Sequence, residues 1–399
     1  MLNLNQYIRI YEGGQAGHMA HPYDYTDFTG NDLIDLIDNL FSGKITHIKE
    51  KLDGFNIMAT MNNDNEVVFI RNKSNLNSPK GGMSIDDMLE KWADNEHQRK
   101  VFSQSALIIT KIFKKLGSNY FNPNNTTRKV INCECIVSGK TNIMPYATDR
   151  VAFHGYQIYM LVNSKYELQK DIEGHVEDIY DIAEDIDEAK PRPDLVIKSV
   201  KEANKLYSIY KKKIIDLFDS ENLKLDSTIE DWKLFRFKKF APDWFKDDID
   251  VFNRICNDNK SVKLTELKRR YPNYKDDISK LDKEYKKDLC SKIMDPLDSL
   301  FLNIGNDLID LLDNFVNTNN KDQVIQSLKK DIQDTVDIVS KSDSQDTKDK
   351  VNKSLHRLEQ LGNKYNSAEG VVFTYKNRRM KLTGSFAPIN QLLGTKYKM

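Results

Sequence analysis

The run Glu50-Lys51-Leu52-Asp53-Gly54-Phe55-Asn56 puts a lysine at the end of a strand-like segment, then an acid, then a glycine turn. A neutral lysine amine is a nucleophile, and one held beside a bound phosphate can attack phosphorus. Its pKa must first fall from about 10.4, through neighbouring cations or loss of solvent. Gly54 allows the backbone to turn tightly against a phosphate. Taken alone, the same spacing also describes an ordinary surface lysine ahead of a strand.

Five later segments offer the other groups that such a reaction needs. They are Phe69-Ile70-Arg71-Asn72-Lys73-Ser74, Asn132-Cys133-Glu134-Cys135-Ile136, Phe153-His154-Gly155-Tyr156-Gln157-Ile158, Ala368-Glu369-Gly370-Val371-Val372 and Met380-Lys381-Leu382-Thr383-Gly384. Carboxylates can face a metal or ribose hydroxyls, and an aromatic face can hold a base. A lysine together with Mg²⁺ neutralises charge that builds on phosphoryl oxygens. Each segment by itself also reads as a plain strand.

In this order the segments resemble motifs I, Ia, III, IIIa, IV and V of the covalent nucleotidyltransferases, the superfamily of DNA ligases, RNA ligases and mRNA capping enzymes. The resemblance implies that Lys51 takes the nucleotide, that Arg71 contacts the ribose and that Glu134 binds ribose hydroxyls. It implies that Tyr156 stacks on the purine, that Glu369 positions Mg²⁺ or Mn²⁺ with Asp53 as a second candidate ligand, and that Lys381 contacts the α-phosphate. Glu50, Asp53, Gly54 and Asn56 would line the nucleotide site. The pattern E-K-x-D-G-x-N is similar to the second class of phage-type RNA ligases. The expected activity is therefore an ATP-dependent RNA ligase, joining 5′-phosphate and 3′-hydroxyl ends through a lysyl-N-AMP intermediate. DNA nick joining, GTP-dependent capping and AMP transfer to protein share the first half-reaction and stay open, as does a non-catalytic nucleotide-binding scaffold.

Three departures stand out. Motif V is commonly K-x-K, whereas this chain has Lys381-Leu382-Thr383, so one cation is missing unless Lys376, Arg378 or Arg379 reaches in. Few residues follow Gly384, so no C-terminal OB domain is expected, which argues against DNA ligases and capping enzymes. Motifs IIIa and IV are unusually far apart.

Positioning these residues calls for strands. Period-two patterns predict strands at Ile57–Met61, Val67–Arg71, Val130–Val137, Val151–Val162, Gly370–Tyr375 and Arg379–Leu382, with a hairpin turn at Asn62-Asn63-Asp64-Asn65. Helical spacing predicts helices around Leu33–Phe41, over Ser84–Leu116, and at Ser199–Phe218, Leu281–Met294, Pro296–Asn317 and Asp322–Ser340. Pro191-Arg192-Pro193 and Ser342–Asp349 read as polar linkers. The expected class is α+β, with the resemblance implying an ATP-grasp-like ligase fold of antiparallel sheets with flanking helices. Expected divisions are an N-terminal loop and helix over 1–44, a first catalytic part over 45–164, an all-helical insertion over 165–365, and a last catalytic part over 366–399.

The 399 residues carry 60 basic and 60 acidic side chains, so no global field draws the chain to nucleic acid. Contact with RNA ends would rest on local clusters in the insertion. Those are Tyr210-Lys211-Lys212-Lys213, Lys233, Arg236, Lys238 and Lys239 among aromatics, and Lys268, Arg269 and Arg270 before Tyr271, each of which reads equally as a solvated helix face. Four cysteines make no CxxC pair, and Cys133 and Cys135 belong on one buried strand face. No signal-peptide pattern and no apolar run of ~20 residues is present, so a cytoplasmic, non-membrane protein is expected. His18 and His21, in Gly13–Pro22, could contact a triphosphate or substrate or ligate a metal, but with no third ligand nearby they read as part of a structural loop, and His154 reads as a strand-face residue beside the base.

Overall fold

The computed structural model describes residues 19–122, 124–140, 143–173, 176–248, 251, 264–280, 283–316 and 321–396. His18 and most of the expected N-terminal loop lie outside the described residues.

Eight strands carry the candidate site: β1 (Lys49–Lys51), β2 (Phe55–Met61), β3 (Val67–Ile70), β4 (Thr127–Ile136), β5 (Arg150–Val162), β6 (Lys165–Glu173), β7 (Gly370–Tyr375) and β8 (Arg378–Thr383). They form a five-stranded antiparallel sheet, in the order β3-β2-β4-β5-β6, and a three-stranded antiparallel sheet, in the order β1-β7-β8. The β2–β3 turn forms where its composition predicts. The Asn62 side-chain oxygen accepts from the backbone of Asp64 and Glu66 at 3.0 and 2.9 Å, and Asn65 takes the left-handed conformation.

Alternation along β2 and β4 explains the layering. Ile57, Ala59 and Met61 share one face with Ile131, Cys133 and Cys135, and all are buried against helix Glu96–Leu116 through Phe102, Ala106, Ile109 and Phe113. Asn56 and Glu134, directly opposite each other, occupy the other face. The expected helix Ser84–Leu116 is two, Ile85–Lys91 and Glu96–Leu116. Asn95 caps the second by accepting from the backbone of Gln98.

In the smaller sheet, Val371, Phe373, Met380 and Leu382 are buried together with Leu33, Leu36 and Ile37 of helix Gly30–Phe41 and with Leu297, Phe301, Ile304 and Leu308 of helix Lys283–Leu311. Sequence spacing predicts a break at Pro296, yet this helix runs through it. The proline costs roughly 3 kcal/mol. Burial on both sides of it, by Ile293, Leu297, Leu300 and Phe301, offsets that at ~1.5–3 kcal/mol per large side chain.

Two expected divisions need correction. Lys165–Glu173 is strand β6, so the larger sheet runs past residue 164. The segment after it is neither all-helical nor separate. Val196–Ile197 pairs with Leu312–Asp313, and helices Val200–Ser220, Ile229–Phe240 and Lys283–Leu311 share one core with β7 and β8. The expected linker at Ser342–Asp349 already begins helix Gln345–Gln360, with Ser344 as its N-cap. The architecture is mixed α/β with antiparallel sheets. No helix among the described residues is long and apolar enough to cross a membrane.

Candidate active site

β1 is only three residues long and pairs with β7, so that Lys51 lies opposite Gly370, which in turn lies opposite Thr383 of β8. Gly370 is required there, because a Cβ would collide with the Leu382 carbonyl oxygen. This pairing brings the half-buried Lys51 amine into an ion pair with Glu369, the residue just before β7. Burial alone would lower the Lys51 pKa, but the charges of Glu369, Glu134 and Asp53 outweigh it and the pKa rises. Glu369 is pushed up to about 8, chiefly by burial, with Asp53 and Glu134 adding to it against the pull of Lys51. Its Oε1 faces Lys51, while its Oε2 is buried with no hydrogen-bond partner among the described residues. Lys381 on β8 is close enough for burial and the Lys51 charge to lower its pKa.

Glu134 is held from two sides. Its Oε1 accepts from the Gly54 backbone at 3.0 Å and its Oε2 lies 3.0 Å from His154 Nε2. Gly54 cannot carry a side chain, since a Cβ would sit 2.7 Å from both the Cys135 carbonyl oxygen and Glu134 Cγ. Arg379 reaches across from β8, donating to the His154 carbonyl at 2.7 Å and lying 3.2 Å from His154 Nδ1. So of the three cations that might make up for Lys381-Leu382-Thr383, Arg379 is the one that reaches this cluster. Lys376 pairs with Asp32, and Arg378 makes a two-pronged contact with Asp27 at 2.6 and 2.5 Å. Asn56 donates to Asn132 at 3.0 Å on the same face.

Asp53 is a loop anchor rather than a free ligand. Its Oδ2 accepts from the backbones of Ile143 and Met144, both at 2.7 Å, and its own N–H donates to the Tyr146 hydroxyl at 2.8 Å. Glu50 points to the opposite side of β1 from Lys51, is buried, and accepts from the backbone of Val316. It therefore supports the strand and does not share the side of Lys51.

Two expected site residues are not brought in. Tyr156 pairs with Ile131 and packs on the core beneath the sheet, with Lys129 Nζ 4.1 Å from its ring centroid. The cause is an irregularity between Asn132 and Cys133, where Cys133 pairs with Phe153 and Asn132 with Gly155, so His154 is the extra residue. His154 keeps the face of Ala152, opposite Glu134, and the shift turns Tyr156 away from it. Arg71 is exposed over the Trp92 ring at 5.4 Å, on the face that carries Phe69.

The basic clusters are also largely structural. Lys233 and Arg236 are buried; Arg236 pairs with Glu221 and donates to the backbones of Ile293 and Lys292. Lys239 shares Glu221 at 2.9 Å, Lys238 pairs with Asp247 at 3.3 Å, and Arg270 with Asp248 at 2.9 Å. Lys268 is half-exposed and Arg269 exposed.

One residue was missed, and another, His21, was read as part of a loop. Arg192, in the expected linker Pro191-Arg192-Pro193, is buried; its guanidinium donates to the Glu50 carbonyl and its own carbonyl accepts from Lys49 at 2.6 Å. Burial lowers its pKa, while Tyr180, Glu134 and Glu50 oppose that shift. His21 stacks on Tyr23 with centroids 5.1 Å apart, and its segment is tied to β8 by Lys381 donating to the Ala20 carbonyl at 3.0 Å. Burial, then the charges of Lys381 and Lys51, lower the His21 pKa to about 4 against the pull of Asp24.

No protein-family model, curated protein or solved structure matches the chain.

Proposed function

We propose that this protein is an ATP-dependent RNA ligase of the covalent nucleotidyltransferase type, with Lys51 as the nucleophile. The observation that carries the reading is the contact between Lys51 and Glu369, residues 318 positions apart, with Glu134, Asp53 and Lys381 near enough to shift their titration. A surface lysine ahead of a strand would have no such company. The Lys51 amine bonds to the α-phosphorus of ATP as the bond to pyrophosphate breaks, leaving a lysyl-N-AMP phosphoramidate. AMP then passes to a 5′-phosphate end, and a 3′-hydroxyl displaces it.

The residues present fit one divalent cation. Glu369 Oε2 is the buried, unpartnered oxygen that would hold it. Among the described residues no group of three His, Cys, Asp or Glu could cage an ion alone, which suits Mg²⁺, an ion that keeps water and phosphate oxygens in its shell. When bound there, Mg²⁺ supplies neutralising charge for the phosphoryl oxygens and pyrophosphate. Lys381 contributes a second, protein-borne positive charge. Lys51 itself is protonated while Glu369 faces it, so the amine becomes a nucleophile only once that carboxylate is otherwise engaged.

The test is incubation with each of the four [α-³²P]NTPs and Mg²⁺. ATP should label the wild type and Lys51→Ala should take no label. Failure of the wild type to label with any nucleotide overturns the reading. Labelling by GTP, or sealing of nicked DNA in preference to RNA ends, replaces the ligase assignment with another member of the same superfamily.

A further inference from the structure

We infer that Arg379 and His154 are positioning residues that aim Glu134 at the hydroxyls of a bound ribose, an inference that rests on the nucleotide-binding reading above. The argument starts from hydrogen-bond direction. A guanidinium only donates. The Arg379 Nη2 that lies 3.2 Å from His154 Nδ1 therefore requires a lone pair on that nitrogen. A neutral imidazole with Nδ1 as acceptor carries its proton on Nε2, which then donates to Glu134 Oε2 at 3.0 Å. The other tautomer would set donor against donor at Arg379 and lone pair against lone pair at Glu134. The imidazolium would set a proton and a positive charge against the guanidinium. Both contacts oppose the other tautomer, and the Arg379 contact opposes the imidazolium. Burial, with Arg379 and Arg192, holds the His154 pKa down at about 4 despite the pull of Glu134, which agrees with a neutral ring.

Arg379 grips His154 twice, at the carbonyl and at the ring, so the imidazole plane is fixed. Alternation puts His154 on the face of Ala152, which lies opposite Glu134, and the irregularity that follows turns the next residues off that face. Arg379 belongs to the three-stranded sheet and His154 and Glu134 to the five-stranded one, so the clamp spans the two sheets. It fixes the carboxylate relative to the strands that carry Lys51 and Lys381.

A carboxylate offers about four lone-pair sites. Gly54 and His154 take one on each oxygen, which leaves one on each for an incoming donor. Two adjacent hydroxyls, as on a ribose, match that remaining pair.

The experiment compares labelling of the full chain by [α-³²P]ATP and by α-labelled 2′,3′-dideoxy-ATP. His154→Ala and Arg379→Ala should each lower kcat/KM for ATP by on the order of tenfold, the size of a hydrogen bond to a charged group. The same variants should lose less than threefold with the dideoxy nucleotide, because the bond they orient is already absent. His154→Gln, which keeps a donor toward Glu134, should restore most of the ATP rate. Equal losses with both nucleotides overturn the inference while leaving the ligase reading intact. A wild type that takes no label from any nucleotide overturns both. The ¹⁵N spectrum of histidine-labelled wild type supplies a readout independent of variant folding. It should show His154 protonated at Nε2 alone, and a proton on Nδ1 overturns the inference.

Discussion

The Lys51 amine and the Glu369 carboxylate form a part-buried ion pair, the lysine side chain 23% and the glutamate 9% exposed. The pair holds the amine in its charged, unreactive form. Glu369→Gln removes the largest of the charges that raise the Lys51 pKa. Lys51 should then react severalfold faster with an amine-directed acylating reagent at pH 8, read as the modified peptide by mass spectrometry. Nucleotide labelling should fall by on the order of a hundredfold in the same variant, since a group aligned with developing charge is lost. Unchanged acylation of Lys51 would show that the carboxylate does not control the amine.

His154 couples folding to pH. Its pKa, ordinarily 6.5, is about 4 in the fold, so the unfolded chain binds the proton first. Stability should therefore fall as pH drops from about 6.5 to about 4, with no further loss from this group below that. The full effect is roughly 3 kcal/mol. Denaturant midpoints at pH 7 and pH 4 should show wild type losing that much more than His154→Gln. Parallel losses in the two proteins would refute the assignment of the slope to His154.

Arg236 is a stabilising residue and not a phosphate contact. Arg236→Ala strands Glu221, 4% exposed, with Lys239 as its remaining charged partner, and should cost ~2–4 kcal/mol in denaturant unfolding. If the protein binds RNA, the variant should leave the slope of log affinity against log salt unchanged. A slope reduced by about one would instead make Arg236 a phosphate ligand.

Tyr156 should behave as a core residue. Tyr156→Phe should label with ATP within about twofold of wild type, because the ring faces Lys129 and the helix layer. Tyr156→Ala should lower the unfolding midpoint at a cost of ~3 kcal/mol without a selective rise in KM for ATP. A large KM effect in the phenylalanine variant would return the tyrosine to the nucleotide side.

The sequence made the strands legible because period-two burial is local. Gly370–Tyr375 coincides with its predicted range, and Cys133 and Cys135 are both buried on one face as the alternation requires. The faces were readable only up to the irregularity at Asn132 and Cys133. One extra residue there turned Tyr156 off the face it was expected to share with His154, and Gly155, inside the strand at φ 146°, is the local mark of it. Arg192 was hidden for a different reason. Its partner is a backbone carbonyl, and a proline on either side looks like a linker whether or not the arginine between them is buried. Arg236 and Lys233 read as a basic patch because Glu221, Ile293 and Lys292, the neighbours that neutralise or solvate Arg236, come from other helices. The break expected at Pro296 failed because the buried stripe on both sides outweighs one missing hydrogen bond.

Among the described residues, strand β1 has its only sheet partner in β7, far downstream in the chain. During synthesis, the residues that carry the amine emerge from the ribosome long before Gly370–Thr383 exist to receive them. Any nascent or prematurely terminated chain ending before Glu369 thus holds Lys51 without its carboxylate partner, without Lys381 and without Arg379. Synthesis of Glu369–Thr383 is itself the event that assembles this cluster.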